Sequence, residues 1–207
     1  MKYIELQELF KDFGIFSLSD IRKVEPGFHR QRLTEWQKKG YIRKAVAEHY
    51  LFSNTQADER LLFLVANRIY VPSYISLEMA FWYHGLIPEG VYTVTSVTSR
   101  TTRVLHSDMA VFSYRKIKRE LFFGYVLLPY RNSNIQMAEV EKAILDYLYL
   151  NTHISTDRDF HELRIQREIL SEKIDVGRFK RYLNQYHSRA LDERAERFLR
   201  YHISQYA

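Results

Sequence analysis

Seven side chains between residues 30 and 44 are of the types that proteins use to bind nucleic acid. Arginine can hydrogen-bond guanine through two nitrogen atoms, glutamine can do the same with adenine, and threonine, lysine and arginine also bind phosphates. The seven are Arg30, Gln31, Arg32, Thr34, Lys38, Arg43 and Lys44. From Arg22 to Lys44 the chain has eight Lys or Arg against two Glu. The net charge of this segment, +6, equals the net charge of the whole chain. We therefore expect a surface that attracts a polyanion.

The pattern around these residues predicts two helices joined by a tight turn. A short helix over Ser19–Val24, N-capped by Ser19, is followed by a break at Pro26-Gly27. A second helix is predicted over about Phe28–Lys39 and ends at Gly40. Its apolar positions, Leu33 and Trp36, face inward, so its polar positions face outward: Arg30, Gln31, Thr34 and Lys38.

A basic, aromatic two-strand ribbon is predicted after the second helix, at residues 41–44 and 50–52. In it, Arg43 and Lys44 would reach a phosphate backbone. Helix, turn, helix and ribbon is the order of a winged helix-turn-helix, which places its second helix in the DNA major groove. The alternative interpretation is an ordinary solvated basic face used for protein contact.

A second basic group is predicted on strands further along the chain. Its members are Arg100, Arg103, Tyr114, Arg115 and Lys116. Such a group can bind phosphate or an acidic partner. The alternative is a sheet edge whose charges prevent it from pairing with another chain.

Signals for catalysis are weak. His106 and Asp108 form a possible metal or acid–base pair, and Asp157 with Asp159 resembles the paired carboxylates of nucleotidyltransferases. However, acids are also favoured at a helix start such as this one. The chain has no cysteine, no phosphate-binding glycine-rich loop and no Gly-x-Ser-x-Gly motif. We expect no enzymatic activity, no cofactor and no metal, with a nucleic-acid-processing enzyme as the alternative.

The predicted fold class is α+β in two domains. Residues 1–53 form the winged helix-turn-helix, and residues 54–207 form an effector domain with a small antiparallel sheet flanked by helices and a helical tail. The sheet strands are predicted at 91–97, 101–105, 109–115 and 121–128, and the tail helices at 157–172, 175–186 and 191–205. The polar segment Ser53–Gln56 is the predicted boundary and suggests limited contact across it.

The sequence predicts a cytoplasmic protein without a membrane span. Hydrophobic residues make up 46% of the 207 residues, enough for a packed core. The longest apolar runs, near Leu61–Ala66 and Leu121–Leu128, are far shorter than a bilayer requires. The N-terminus has no apolar signal core.

Several segments together resemble AbiEi-type antitoxins of abortive-infection toxin–antitoxin systems. They occur in the family's order and span about residues 5–150: RLTEWQKKGYI (32–42), YISLEMA (74–80), HGLIPE (84–89), YTVTSVT (92–98), FSYR (112–115), FGY (123–125) and AEVEKAILD (138–146). One departure is at the wing, where the family usually has a Gly-Tyr-Tyr-like run and this chain has Ala47-Glu48-His49-Tyr50.

The resemblance implies a winged helix that binds double-stranded DNA at its own promoter and represses it. It also implies a C-terminal domain that counteracts a nucleotidyltransferase-like toxin, with or without direct contact. The second basic group is our candidate for the surface that does so. The alternative is a winged-helix transcription factor whose C-terminal domain senses a ligand or a partner.

Overall fold

The computed structural model describes residues 1–203. The N-terminal region has three helices and a three-stranded antiparallel sheet of order β1-β3-β2. This is a winged helix-turn-helix, as predicted. In chain order its elements are α1 (Tyr3–Phe10), β1 (Phe16–Ser17), α2 (Leu18–Val24), α3 (Gln31–Lys38), β2 (Ile42–Val46) and β3 (His49–Phe52).

Both helices of the helix-turn-helix begin at residues other than those predicted. α2 starts at Leu18 because Ser17, not Ser19, is the N-cap: its hydroxyl accepts from the Asp20 amide, and the Asp20 carboxylate accepts from the Ser17 amide. α3 starts at Gln31, three residues later than predicted. Phe28 instead lies in the preceding turn, where its buried ring packs against Trp36.

The rest of the described chain is built on a six-stranded sheet of order β6-β7-β5-β4-β9-β8. The α+β class is confirmed. The sheet itself differs from the small antiparallel sheet predicted, because β5 pairs with β7, and β4 with β9, in parallel. Its strands are β4 (Ser73–Ile75), β5 (Thr93–Thr98), β6 (Arg103–His106), β7 (Val111–Lys116), β8 (Tyr125–Tyr130) and β9 (Ser133–Ala138).

The parallel pairing arises because β7 turns back and lies between β5 and β6. β6 pairs only with β7 and forms one edge of the sheet, so the strand that follows β5 in sequence is not its neighbour in space. Alternation of apolar residues reveals which positions are buried but not which strands pair. Strand β9 lies outside all four strands that the sequence predicts.

Helices cover both faces of this sheet. Helix α4 (Glu59–Ile69) packs on one face, where the buried Tyr114 hydroxyl donates to the Ala66 carbonyl at 2.8 Å. Helices α5 (Leu77–Tyr83) and α6 (Val140–Leu150) pack on the other, where the Tyr74 hydroxyl donates to Asp146 at 2.8 Å. A 3₁₀ turn at Arg119–Leu121 precedes β8.

Up to residue 203 the tail consists of four helices, in place of the three predicted. They are α7 (Asp157–Glu162), α8 (Arg167–Lys173), α9 (Val176–Asn184) and α10 (Arg189–His202). The first predicted helix is interrupted between residues 162 and 167, where Arg164 has a positive φ of 53°. Residues 204 and 205, the last two of the third predicted helix, lie outside the described residues. Within residues 1–203 no helix has the length and apolar character to cross a bilayer.

The winged helix packs closely against the C-terminal region. One face of its sheet joins its own helices, but Ile15, Val46 and Leu51 belong to the large core that contains α4. Gly14 comes so close that an added Cβ would lie 3.2 Å from Leu64 and 3.3 Å from Leu61. The expectation of limited contact across Ser53–Gln56 is therefore wrong, because an apolar interface joins the winged helix to the C-terminal region.

Candidate nucleic-acid interface

Helix α3 has one buried side and one exposed side. Leu33 and Trp36 are buried, and the Trp36 ring lies 5.6 Å from Phe28 and 5.9 Å from Tyr3 between ring centroids. The opposite side carries Gln31, Thr34 and Lys38, all exposed. Their spacing of three and then four residues aligns them in one stripe. We call these three residues the α3 face. Within residues 1–203 their side chains make no hydrogen bond or ion pair, so they are free to bind a ligand.

Arg30 lies at the start of α3 and connects this helix to the wing, which is the ribbon formed by β2 and β3. Its guanidinium forms an ion pair with Glu48 at 2.7 Å. Glu48 follows Ala47, which has a positive φ of 49°, in the turn between β2 and β3. Both side chains are largely exposed, and exposed pairs of this kind contribute only about 0–1 kcal/mol. Arg30 can therefore exchange Glu48 for a phosphate or a base at low cost.

Arg32 lies on a different side of α3 from the stripe. Its guanidinium donates to the Met1 carbonyl, which holds the chain start against α3. The amino group of Met1 forms an ion pair with Glu25 at 2.6 Å. Arg32 is still exposed and can contact a phosphate beside the helix, but its arrangement is not that of a base-reading side chain.

The two basic residues of β2 point in different directions. Lys44 is exposed and pairs in register with Tyr50, which belongs to the winged-helix core. Arg43 pairs with Leu51, which faces the C-terminal region, and its half-buried guanidinium donates to the Thr55 carbonyl at 3.3 Å. Successive strand residues face opposite sides of a sheet. The structure thus groups Lys44 with the α3 face and separates Arg43 from it.

Further exposed basic residues lie on or next to the two helices of the helix-turn-helix. Arg22 and Lys23 on α2, and Lys39 after α3, are exposed. Glu35 is the exposed acidic residue within α3, one turn after Gln31. The arrangement offers one amide, one hydroxyl and several cations on an accessible helix. These groups can hydrogen-bond base edges and bind phosphates on either side of a groove.

The second basic group is not a single surface. Tyr114 was predicted on it, but its side chain is fully buried, packs 4.9 Å from Tyr70 and donates to Ala66. Burial raises the pKa of the Tyr114 hydroxyl well above its ordinary value. That prediction is wrong because helix α4 covers this face of β7.

Arg100 and Arg103 are exposed and share one aromatic neighbour. Their guanidinium carbons lie 4.6 Å and 5.7 Å from the centroid of the Tyr70 ring. Arg100 also donates to the Val71 carbonyl at 3.2 Å, and the Tyr70 hydroxyl donates to the Thr101 carbonyl at 2.9 Å. Together these contacts hold the loop before β6 against α4.

Arg115 and Lys116 face different surroundings from Arg100 and Arg103. The half-buried Arg115 donates to the Leu150 carbonyl at 2.9 Å, and so satisfies the C-terminal end of α6. Lys116 is exposed at the end of β7, where its amide donates to the Thr102 hydroxyl. Of the five predicted residues, Arg100, Arg103 and Lys116 remain accessible for a partner.

The carboxylates considered for catalysis have structural partners. Asp159 completes the capping box of α7, whose N-cap is Thr156: amides of Ser155 and Thr156 donate to the Asp159 carboxylate and lower its pKa to about 2. Asp157 forms an ion pair with Arg197 at 2.8 Å. His106 ends β6 and Asp108 lies exposed in the following turn. Nowhere in residues 1–203 do three His, Asp or Glu side chains gather as a possible metal site.

A buried ionic network in the C-terminal region was missed in the sequence. Lys142 and Asp146, one turn apart on α6, form a fully buried ion pair. Lys142 also donates to the Tyr186 hydroxyl at 2.7 Å, and Ser76 donates to Asp146 at 2.9 Å, beside Tyr74. Burial lowers the pKa of Lys142, while the charge of Asp146 opposes that shift. The network joins β4, α6 and the end of α9, and its polar atoms are hydrogen-bonded to each other. No local signal in the sequence indicated this burial, because Glu141 precedes Lys142 and Asp146 follows one turn later, as on an exposed helix face.

Comparison with known proteins gave no relative: no protein-family model matches the chain, and no curated protein is significantly similar to it.

Proposed function

We propose that this protein is a cytoplasmic, non-enzymatic regulator that binds double-stranded DNA through α3 and the wing. The observation that supports this best is the free α3 face on the second helix of a winged helix-turn-helix. The C-terminal region packs against the sheet of this module and leaves the α3 face accessible. Arg30 at the start of α3, Lys44 on β2 and the basic residues of α2 add exposed positive charge to the same module.

We further propose that the DNA is the promoter of the protein's own operon and that the protein acts as the antitoxin for a nucleotidyltransferase-like toxin. This part depends on the resemblance to AbiEi-type antitoxins. Arg100, Arg103 and Lys116 are the accessible candidates for the antitoxin surface.

The DNA proposal is tested by fluorescence anisotropy with a labelled duplex from the upstream region and a scrambled duplex of equal length. Binding should weaken steeply as salt is raised, because each phosphate contact releases counterions. Arg30→Ala combined with Gln31→Ala should reduce the preference for the upstream duplex over the scrambled one. A loss of about 1–3 kcal/mol of discrimination is expected for each bidentate base contact removed.

Lys38→Ala should instead weaken both duplexes equally and flatten the salt dependence by about one unit of slope. Arg100→Ala is the matched control, since it also removes one exposed positive charge but lies far along the chain. If Arg100→Ala weakens binding as much as Lys38→Ala does, the charge of the protein as a whole is responsible and not the α3 face.

The antitoxin proposal is tested by growth rescue in cells that express the toxin encoded beside this gene. Reversal of charge at Arg100 and Arg103 should abolish rescue by a protein that is still folded and still binds DNA. The Lys38→Ala variant is the control, because it should rescue growth while repressing poorly. Full rescue by the charge-reversed protein would show that Arg100 and Arg103 are not the antitoxin surface. Absence of rescue by the wild type would contradict the antitoxin role itself.

A further inference from the structure

An open cavity of about 560 Å³ lies among α7, α8 and α10, in the tail that the sequence left without a role. Its walls include Phe160 from α7, Arg167 and Glu168 from α8, and Tyr201 and His202 from α10. Small-molecule sites have volumes of roughly 300–1,000 Å³ and combine aromatic walls with a few polar groups. The cavity has both the size and the composition of such a site.

His202 in the wall of this cavity is polar, buried and without a partner. It is 3% exposed, and neither ring nitrogen has a hydrogen-bond partner in the described part of the chain. Aromatic rings surround it, with the centroid of Phe198 at 4.4 Å and that of Tyr201 at 4.9 Å. Burial, followed by the charge of Arg167, lowers the pKa of His202 to about 4. The neutral ring thus offers one donor and one acceptor, which stay unused in a place where phenylalanine would fit without that cost.

Two arginines near Tyr201 have no carboxylate partner within residues 1–203. Arg167 lies over the Tyr201 ring, 4.5 Å from its centroid. Arg200 lines a second open cavity of about 500 Å³ that shares Tyr201 with the first. The other arginines of the two cavities are already neutralised, Arg164 by Glu89 and Arg197 by Asp157. Glu168 is the remaining acidic residue of the lining, so the charge around Tyr201 favours an anion.

We propose that this cavity binds a small phosphate-bearing ligand with a planar ring, of the size of a nucleoside monophosphate. Arg167 binds the phosphate, Tyr201 packs against the planar ring, and His202 hydrogen-bonds the polar edge of that ring. Because His202 is almost completely covered, neighbouring side chains must move for the ligand to reach its ring. The site uses no part of the α3 face, so the ligand proposal can be tested independently of the DNA proposal.

The test is isothermal titration of the full-length protein with AMP, UMP, ribose 5-phosphate and inorganic phosphate. We expect AMP or UMP to bind with a dissociation constant below about 1 mM. Ribose 5-phosphate and inorganic phosphate should bind at least about tenfold more weakly than AMP, because they lack a planar ring that can stack. No saturable binding of any of the four probes would overturn the proposal. Equal binding of inorganic phosphate and AMP would overturn the role given to Tyr201 and His202.

Two variants locate the site. His202→Phe keeps the aromatic packing and removes both ring nitrogens, so it should melt at the same or a higher temperature and bind AMP about tenfold more weakly. Arg167→Gln changes an exposed side chain and should weaken AMP by a similar factor even if His202→Phe fails to fold. Arg158→Gln, on the exposed side of α7 and paired with Glu162, is the control and should bind normally. Wild-type affinity in Arg167→Gln would place the ligand elsewhere.

Discussion

The N-terminal and C-terminal regions each carry a dense group of basic residues, but these residues differ in what they already bind. Lys38 on the α3 face has no partner in residues 1–203, and Arg30 pairs with an exposed carboxylate. In the second basic group, Arg100 and Arg103 lie over Tyr70, and Arg115 donates to the end of α6. In residues 1–203 the N-terminal region keeps Lys38 and Lys44 without partners, while the second basic group uses Arg100, Arg103 and Arg115 to hold its own loop and a helix end.

The comparison shows that local charge density does not measure binding capacity. A short helix on the surface exposes its polar stripe to solvent and offers few acceptors to it. A strand next to the end of a helix lies within reach of unsatisfied carbonyls, and arginine is the side chain that satisfies several of them. The second basic group therefore contributes to the stability of the fold as well as to any partner surface.

Cutting the chain between the two regions tests how far they are separate, and it should have the largest effect. A fragment of residues 54–207 exposes Leu61 and Leu64, which are fully buried in the intact chain. Each leucine returned to water costs about 1.5–3 kcal/mol. We expect the fragment to aggregate or to lose its cooperative thermal transition, as measured by circular dichroism. A fragment that melts like the intact protein would mean that the interface contributes little.

Truncating the aromatic residue beneath each basic group should have the next largest effect. Trp36→Ala and Tyr114→Ala each remove a buried ring and should lower the free energy of unfolding by about 3–5 kcal/mol in urea denaturation. Tyr114→Phe is the control for the hydroxyl and should cost about 1–3 kcal/mol, because the Ala66 carbonyl loses its partner. If Tyr114→Ala were as stable as the wild type, Tyr114 would have to be an exposed residue.

The winged helix was predictable because its signals are local. Pro26-Gly27, Gly40 and the apolar positions of α3 lie within a few residues of the structure that they determine. The direction of the α3 face follows from helical periodicity alone. The start of α2 was misplaced by one residue because Ser17 and Ser19 are both good caps, and only the reciprocal bond with Asp20 distinguishes them.

The C-terminal region was less predictable because its contacts join distant parts of the sequence. Tyr114 is buried by α4, which ends more than forty residues earlier in the chain. Lys142 is buried partly by Tyr186, which follows more than forty residues later. Neither residue differs in its own neighbourhood from an exposed tyrosine or an exposed helical lysine. Strand pairing is also long-range, which is why the parallel strands were not foreseen.

Removing the guanidinium of Arg115 sharpens the comparison on the C-terminal side. Arg115→Met keeps much of the side-chain length and loses the bond to the Leu150 carbonyl, so it should destabilise the fold by about 1 kcal/mol in urea denaturation. Lys116→Met removes the same charge from the next, exposed position and should change stability by less than about 0.5 kcal/mol. Equal effects of the two variants would show that Arg115 stabilises the fold only through its charge.

The smallest expected effect on stability comes from Glu48→Gln, which tests whether the N-terminal cations are as available as their exposure indicates. The variant breaks the ion pair with Arg30 and should change the free energy of unfolding by less than about 1 kcal/mol, because both partners are exposed. DNA affinity should rise several-fold, since Arg30 is released and a negative charge beside the phosphate backbone is removed. Glu193→Gln breaks the exposed pair with Arg189 on α10 and removes the same charge, so it is the matched control and should leave DNA affinity nearly unchanged. Weaker DNA binding by Glu48→Gln would mean that Glu48 holds Arg30 in its binding orientation, and that the wing prepares the α3 face instead of competing for it.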